Sequence, residues 1–342
     1  MQPRYVESLN RALHGLLAAD PRVVLIGEDI LDPYGGAFKA SRGLSSAFPG
    51  QVLAMPISEA GLTGFATGMA MRGFRPVVEI MFGDFITLIA DQIVNHAAKF
   101  AWMYNGRVKV PLVIRTPMGG RRGYGPTHSQ TLESLFLGVP GLRMVAPSHV
   151  HDPGAMLAHA VTHGEGPTLF IENKLLYPMR LLVPDARGKA GDFHAETVPG
   201  GDPAFPTLRL SLYPDAPPDV TLIAYGGMAP LAMEAAHSLF LEEEILVDLL
   251  LPGVIKPVPV SDFLASVRRS GKVVVAEEGP VAGGWGAEAA SLIHERAFGD
   301  LRAPVRRVGA PDHPIPSARP MEDETLVQVS DLVAVVRSLY GT

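Results

Sequence analysis

The stretch Met55-Pro-Ile-Ser-Glu-Ala-Gly-Leu-Thr-Gly-Phe-Ala-Thr-Gly-Met-Ala-Met-Arg-Gly-Phe74 governs how the rest of the chain is read. A short apolar run delivers Ser58 and Glu59 to the start of a helix rich in glycine and alanine. Ser58 holds the capping position, where a hydroxyl accepts an amide bond that the first turn leaves unmade. Gly61, Gly64, Ala66, Gly68 and Ala70 give the helix almost no side-chain bulk, although each glycine costs about 1 kcal/mol there. Such a helix can be approached closely by another backbone. Glu59 is then a lone carboxylate among small and apolar neighbours. On one reading it is an ordinary first-turn anion that complements the helix dipole, worth about 0.3–1 kcal/mol. On the other it is a buried acid that desolvation pushes towards its neutral form. The choice depends on whether the site is dry.

Outward from this segment, apolar runs alternate with helical patterns, which predicts parallel sheets built from crossover units. In the first half, strands are expected at 22–26, 52–57, 76–82, 110–116, 143–146 and 168–172. Helices are expected at 5–19, 60–72, 85–102, 132–137 and 153–163. Between Tyr177 and Asp219 a run of prolines breaks the pattern, and residues 181–218 read as a connector with a short hairpin at 207–212. Alternation then resumes, with strands at 220–225, 245–250, 272–277 and 305–308. The helices there are expected at 229–241, 260–269 and 286–298, with a closing helix at 324–339. The fold class is α/β, with two doubly wound domains at 1–180 and 219–342.

With 342 residues, 47% of them apolar, the chain can fill two such cores. No apolar run reaches the roughly 20 residues that span a bilayer, and no basic-then-apolar leader is visible, so a cytoplasmic, non-membrane protein is expected. A net charge of −6 gives no reason to propose nucleic-acid binding. The absence of cysteine excludes disulfides, thiolate metal sites, cysteine nucleophiles and cysteine-ligated iron–sulfur clusters.

Glu28 follows the first strand, at the edge where ligands gather in open α/β sheets, although a plain loop carboxylate reads the same way. Phe85 opens a helix and is either a ligand-facing ring or core filling. His128 lies in the loop Arg121-Arg-Gly-Tyr-Gly-Pro-Thr-His-Ser-Gln130 and is either a surface imidazole or a proton carrier. Gly284-Trp-Gly-Ala-Glu-Ala289 has the glycine spacing of a dinucleotide fingerprint, but it reads better as a tight strand-to-helix turn.

Pro56-Ile-Ser-Glu-Ala-Gly61 resembles the signature of beta subunits of thiamine-diphosphate-dependent 2-oxoacid dehydrogenases, the first component of the pyruvate, branched-chain and acetoin complexes. Further matches follow in order along nearly the whole chain. They include Leu25-Ile-Gly-Glu-Asp29, Tyr34-Gly-Gly-Ala-Phe38, Gly73-Phe-Arg-Pro76, Asp91-Gln-Ile-Val-Asn95, Thr127-His-Ser-Gln130 and Val275-Ala-Glu-Glu-Gly279. The resemblance implies a pyrimidine-binding thiamine-diphosphate fold followed by a transketolase C-terminal-like domain. It assigns Glu59 as the carboxylic acid that supports the imino tautomer of the cofactor's aminopyrimidine. It places Glu28, Ile57 and Phe85 at the cofactor, and gives His128 the task of binding the 2-oxoacid or moving a proton during acyl transfer.

The resemblance also implies potassium on the backbone carbonyls of Leu112, Val113, Ala160 and Val161. His163 stands where the family has an aspartate, which counts against the ion, because a hard cation prefers oxygen. The aspartate of Asp248-Leu-Leu-Leu-Pro-Gly253 lacks the arginine that usually follows it. The family's diphosphate-and-metal segment, Gly-Asp-Gly with a later asparagine, has no match here. Magnesium and diphosphate are therefore expected on an alpha subunit, in an α2β2 assembly that passes acyl groups to a lipoyl acyltransferase. Two alternatives are a split transketolase-like ketol or acyl transferase subunit and a non-catalytic scaffold. An intact Glu59 argues against the scaffold.

Overall fold

Val23–Gly27 is buried along its whole length, the pattern of a strand in a parallel sheet with helices on both faces. The computed structural model describes residues 2–340 and separates into two units, each with its own sheet. In the first, β1 (Val23–Gly27) lies between β2 (Val52–Ala54) and β3 (Arg75–Glu79). β4 (Val113–Met118), β5 (Arg143–Val145) and β6 (Thr168–Asn173) continue it in the order β2-β1-β3-β4-β6-β5, every pair parallel. The helices are α1 (Tyr5–Ala19), α2 (Leu44–Ala47), α3 (Glu59–Met71), α4 (Phe100–Met103) and α5 (Pro153–His163). Asp152 caps α5 by accepting the amides of Gly154 and Ala155, and the Ser8 hydroxyl of α1 donates to the same carboxylate at 2.8 Å.

The single helix expected at 85–102 is instead three pieces. A 3-10 turn covers Gly83–Ile89, a π-helical turn covers Gln92–Ala97, and α4 follows. Both irregular turns pack on α3. Gln92 lies so close to Gly64 that a Cβ there would stand 2.9 Å from its Oε1. A glycine face on α3 and a widened turn opposite it belong to one close contact, and such π turns recur at functional sites.

Beneath this region Arg115 is 1% exposed and carries charge into the core. Its guanidinium grips Glu172 with two bonds, at 2.8 and 2.6 Å, and reaches Glu79 at 2.5 Å. Tyr177 donates to Glu172 and Ser41 to Glu79. The two carboxylates share one guanidinium and each accepts a hydroxyl as well, so every buried ion is paired and hydrogen-bonded, the condition for tolerating it.

The second unit contains Gly119–Ser134, Ala146–His151 and the chain from Leu182 onward. The stretch read as a connector builds β7 (Lys189–Ala190), β8 (Phe193–Thr197) and β9 (Thr207–Ser211), an antiparallel edge on this unit's sheet. The prolines do not prevent this, because Pro184, Pro199, Pro203, Pro206 and Pro214 all fall in the turns between strands. Buried Phe193 and Ala195 on β8 and Leu208 and Leu210 on β9 give the period of two that the proline run obscured.

The sheet continues through β10 (Val220–Ala224), β11 (Val247–Pro252), β13 (Val273–Pro280) and β14 (Arg306–Ala310), with the order β14-β13-β10-β11-β9-β8-β7. The short β12 (Val254–Lys256) follows β11, and its Ile255 carbonyl accepts the buried Trp285 indole at 2.8 Å. Helices α6 (Ala229–Glu243), α7 (Val260–Ser270) and α8 (Trp285–Ala297) cover the sheet. The closing helix expected at 324–339 is two helices, α9 (Arg319–Thr325) and α10 (Val329–Ser338). Gln328 and Asp331 form a capping box that starts the second afresh.

Candidate active site

The carboxyl end of β1 delivers Glu28, which is buried, to the start of α3. Glu28 Oε1 accepts the backbone N–H of Ser58 at 3.0 Å. Burial pushes the Glu28 carboxyl above the usual carboxylate range, the Ser58 amide opposes this, and the charges of Glu59 and Asp29 add to the rise. Ser58 occupies the N-cap position, but its hydroxyl makes no capping bond, which corrects the expectation from sequence. Glu59 is the first residue of α3 and is half-buried. Its carboxylate has no hydrogen-bond or ion-pair partner among the described residues. Desolvation thus acts on Glu28, while Glu59 presents a carboxylate with unfilled bonding capacity.

Ile57 is 81% exposed just before this helix. Phe85 lies on the 3-10 turn that packs on α3 and is half-buried. Its ring meets Phe82 edge-on at 5.9 Å, and Phe82 in turn meets Phe38 at 5.4 Å. In the loop after β1, Gly36 has φ +80°, and a Cβ there would lie 2.5 Å from Glu79 Oε1. The first unit therefore gathers Glu28, Ser58 and Glu59 at the β1–α3 edge, with an aromatic row on the neighbouring turn.

His128 belongs to the second unit, in the segment Gly119–Ser134. Its backbone N–H donates to Gly125 at 3.3 Å, and its Nδ1 lies 3.0 Å from the Thr127 hydroxyl.

Of the four carbonyls matched to a potassium site, those of Leu112, Ala160 and Val161 are engaged within the chain. Arg75 Nη1 donates to the Val161 carbonyl at 2.6 Å, and the carbonyls of Leu112 and Ala160 accept the amides of Thr168 and Gly164. A guanidinium already brings positive charge to this spot, and His163 supplies no carboxylate to complete a cation site. These residues do not fit potassium.

The glycine turn at 284–286 has a clear cause. Glu277 Oε1 accepts the Gly286 amide at 3.1 Å, and a Cβ on Gly284 would collide with the same carboxylate. An internal carboxylate thus fills the helix-start position where a phosphate would bind in a dinucleotide fold. Asp248 gains its arginine from the adjacent strand, because Arg209 of β9 pairs with it at 3.0 Å.

Reading the sequence by motif passed over the buried carboxylates Glu133, Glu278 and Glu322. Glu278 sits inside the matched Val275–Gly279 segment, which was the available signal. Glu322 had none, because its partners are backbone amides far along the chain.

Residues 1–180 match the transketolase pyrimidine-binding domain and residues 214–332 the transketolase C-terminal domain. The chain is 37% identical to the pyruvate dehydrogenase E1 component subunit beta of Leifsonia xyli over 336 residues, covering 98% of this chain and 94% of that one. It is 32% identical to the acetoin:2,6-dichlorophenolindophenol oxidoreductase subunit beta of Bacillus subtilis, covering 98% and 96%. A solved split-gene transketolase, described as an inactive beta4 tetramer, shares the fold at TM-score 0.70 and 23% identity over 99% and 98% of the two chains. With both domains matched in order and relatives aligned over nearly their full length, the chain belongs to the family of beta subunits of thiamine-diphosphate-dependent 2-oxoacid dehydrogenases.

Proposed function

We propose that this chain is the beta half of a heteromeric enzyme that decarboxylates a 2-oxoacid and passes the acyl group to a lipoyl acyltransferase. The observation that carries the reading is the Glu59 carboxylate, unpartnered at the start of a glycine-faced helix and beside the buried Glu28. That arrangement fits the aminopyrimidine end of thiamine diphosphate, which offers ring nitrogens to a carboxyl group. Bound there, the cofactor would supply the nucleophilic carbon and the electron sink for decarboxylation.

The chain's own residues do three things. Glu59 holds a proton at its carboxyl for exchange with the ring. Glu28, by accepting the Ser58 amide, fixes the backbone from which Glu59 projects. Phe85 and Ile57 present apolar surface that limits water at the carboxyl group. His128 is assigned to the 2-oxoacid carboxylate or to proton transfer during acyl transfer.

Magnesium and the diphosphate fall to an alpha subunit in an α2β2 assembly, because this chain lacks the segment that holds them. For the same reason the isolated chain binds the cofactor poorly. Residues 1–180 and 219–342 are taken as the two domains.

Reconstitution with an alpha partner tests the reading. Turnover of 2-oxoacids with transfer to lipoyl groups supports it. Turnover of sugar phosphates instead, or micromolar cofactor binding by this chain alone, overturns it.

A further inference from the structure

The segment that carries His128 is awkward to hold still. Gly119, Arg121, Gly123 and Gly125 all have positive φ, and Arg121 bears the steric cost that a side chain meets in that region. Three amides of this bend point at buried carboxylates of the same unit. Glu322, 1% exposed in α9, accepts the Arg121 amide through Oε1 at 2.8 Å and the Gly123 amide through Oε2 at 3.0 Å. Glu278, at the end of β13, accepts the Gly120 amide at 2.8 Å. The Arg121 guanidinium closes over the same region by donating to the Val327 carbonyl and to Gln328. Successive amides in such a bend form an anion-binding concavity, and here the chain fills it with its own carboxylates.

We propose that Glu322 is a positioning residue for His128, clasping the Gly119–Ser134 segment so that the imidazole is presented in one place. The proposal rests on the role given to His128 above. Charge-assisted bonds to a carboxylate are about twice as strong as neutral ones, and one carboxylate receiving two amides two residues apart fixes the bend between them. His128 is five residues beyond Gly123, and its own amide closes the following turn onto Gly125. A carboxylate is specifically required, because an amide side chain can accept from one of the two N–H groups only and turns a donor towards the other.

The test uses the full-length chain and the reconstituted enzyme. Trypsin cuts after Arg121 or the exposed Arg122 faster the more often the bend opens. Glu322→Gln is expected to speed that cut about tenfold, and Glu322→Asp, which keeps both acceptors on a shorter arm, to fall between it and the parent. In the reconstituted enzyme Glu322→Gln is expected to slow the step that His128→Ala slows, and the double variant to be no slower than His128→Ala alone. An unchanged cutting rate in both Glu322 variants overturns the clasp. Multiplying effects in the double variant overturn the action through His128. If His128→Ala alone leaves every step at the parent rate, the reading of His128 fails, and the proposal fails with it while the cutting data still stand.

Discussion

Glu28 Oε1 accepts the backbone N–H of Ser58 at 3.0 Å, so the end of β1 holds the residue immediately before Glu59. A buried carboxylate thereby does what the Ser58 hydroxyl does not, anchoring the entry to α3.

Replacing it separates its two properties. Glu28→Ala removes the acceptor of this partly buried bond, a loss of about 1–1.5 kcal/mol in urea denaturation of the full-length chain. Glu28→Gln keeps an acceptor of the same shape and is expected to cost less than about 1 kcal/mol. Equal losses in the two variants would show that the bond to Ser58 does not hold the helix start.

Glu277 predicts a pH dependence. Burial, reinforced by the charge of Glu133, pushes its carboxyl up to about 8, against the opposing amides of Gly286 and Trp285 and the Arg307 cation. Tyr225 faces the same group. The folded chain therefore keeps this proton at pH values where the unfolded chain has released it, so stability from this group falls as pH rises from about 4.5 to about 8 and then levels off. Melting temperatures measured across that range should decline more steeply for the parent than for Glu277→Gln, which keeps the bond to Gly286 without titrating. Identical slopes would place the proton elsewhere.

Assembly has an internal reporter. The chain has two tryptophans; Trp285 is fully buried, whereas Trp102 is 85% exposed at the end of α4. Ile57, Phe65 and Met103 are further exposed apolar residues of the same unit, and apolar surface of this kind marks an interface. Binding an alpha partner is expected to shift the emission of Trp102 to shorter wavelength, and Trp102→Glu to weaken assembly in sedimentation. No spectral change on assembly, with Trp102→Glu assembling normally, would remove α4 from the interface.

Much of this architecture was legible in the sequence. The bounds of α1 and α5 match the expected ranges to the residue, because each has a clear apolar stripe and α5 begins at Asp152-Pro153, a cap followed by a proline. The start of α3 was off by one residue. The helix expected at 85–102 failed because its apolar residues serve contact with α3 rather than a single buried face. The strands β7 and β8 were hidden by prolines that sit in their turns, and the short hairpin expected at 207–212 is instead the single strand β9, paired between β8 and β11. In the candidate site, motifs pointed to Glu28, Glu59 and Phe85, and the structure places all three in the first unit. Of the carboxylates that hold the His128 segment, Glu278 lies inside a matched motif, but Glu322 has no such signal, since it meets Arg121 about 200 residues away and only folding brings them together.

Glu59 is expected to activate the cofactor, and proton–deuterium exchange at the reactive thiazolium carbon in the reconstituted assembly reads that activation. Gln keeps the shape of the side chain and leaves α3 intact, but it has no acidic proton to exchange with the ring. Loss of an acid–base group typically costs about 10²–10⁴-fold, and Glu59→Gln is expected to slow exchange by that order. His128→Ala should leave exchange at the parent rate and slow a later step. Exchange as fast in Glu59→Gln as in the parent would reduce Glu59 to a helix-start carboxylate and contradict the account.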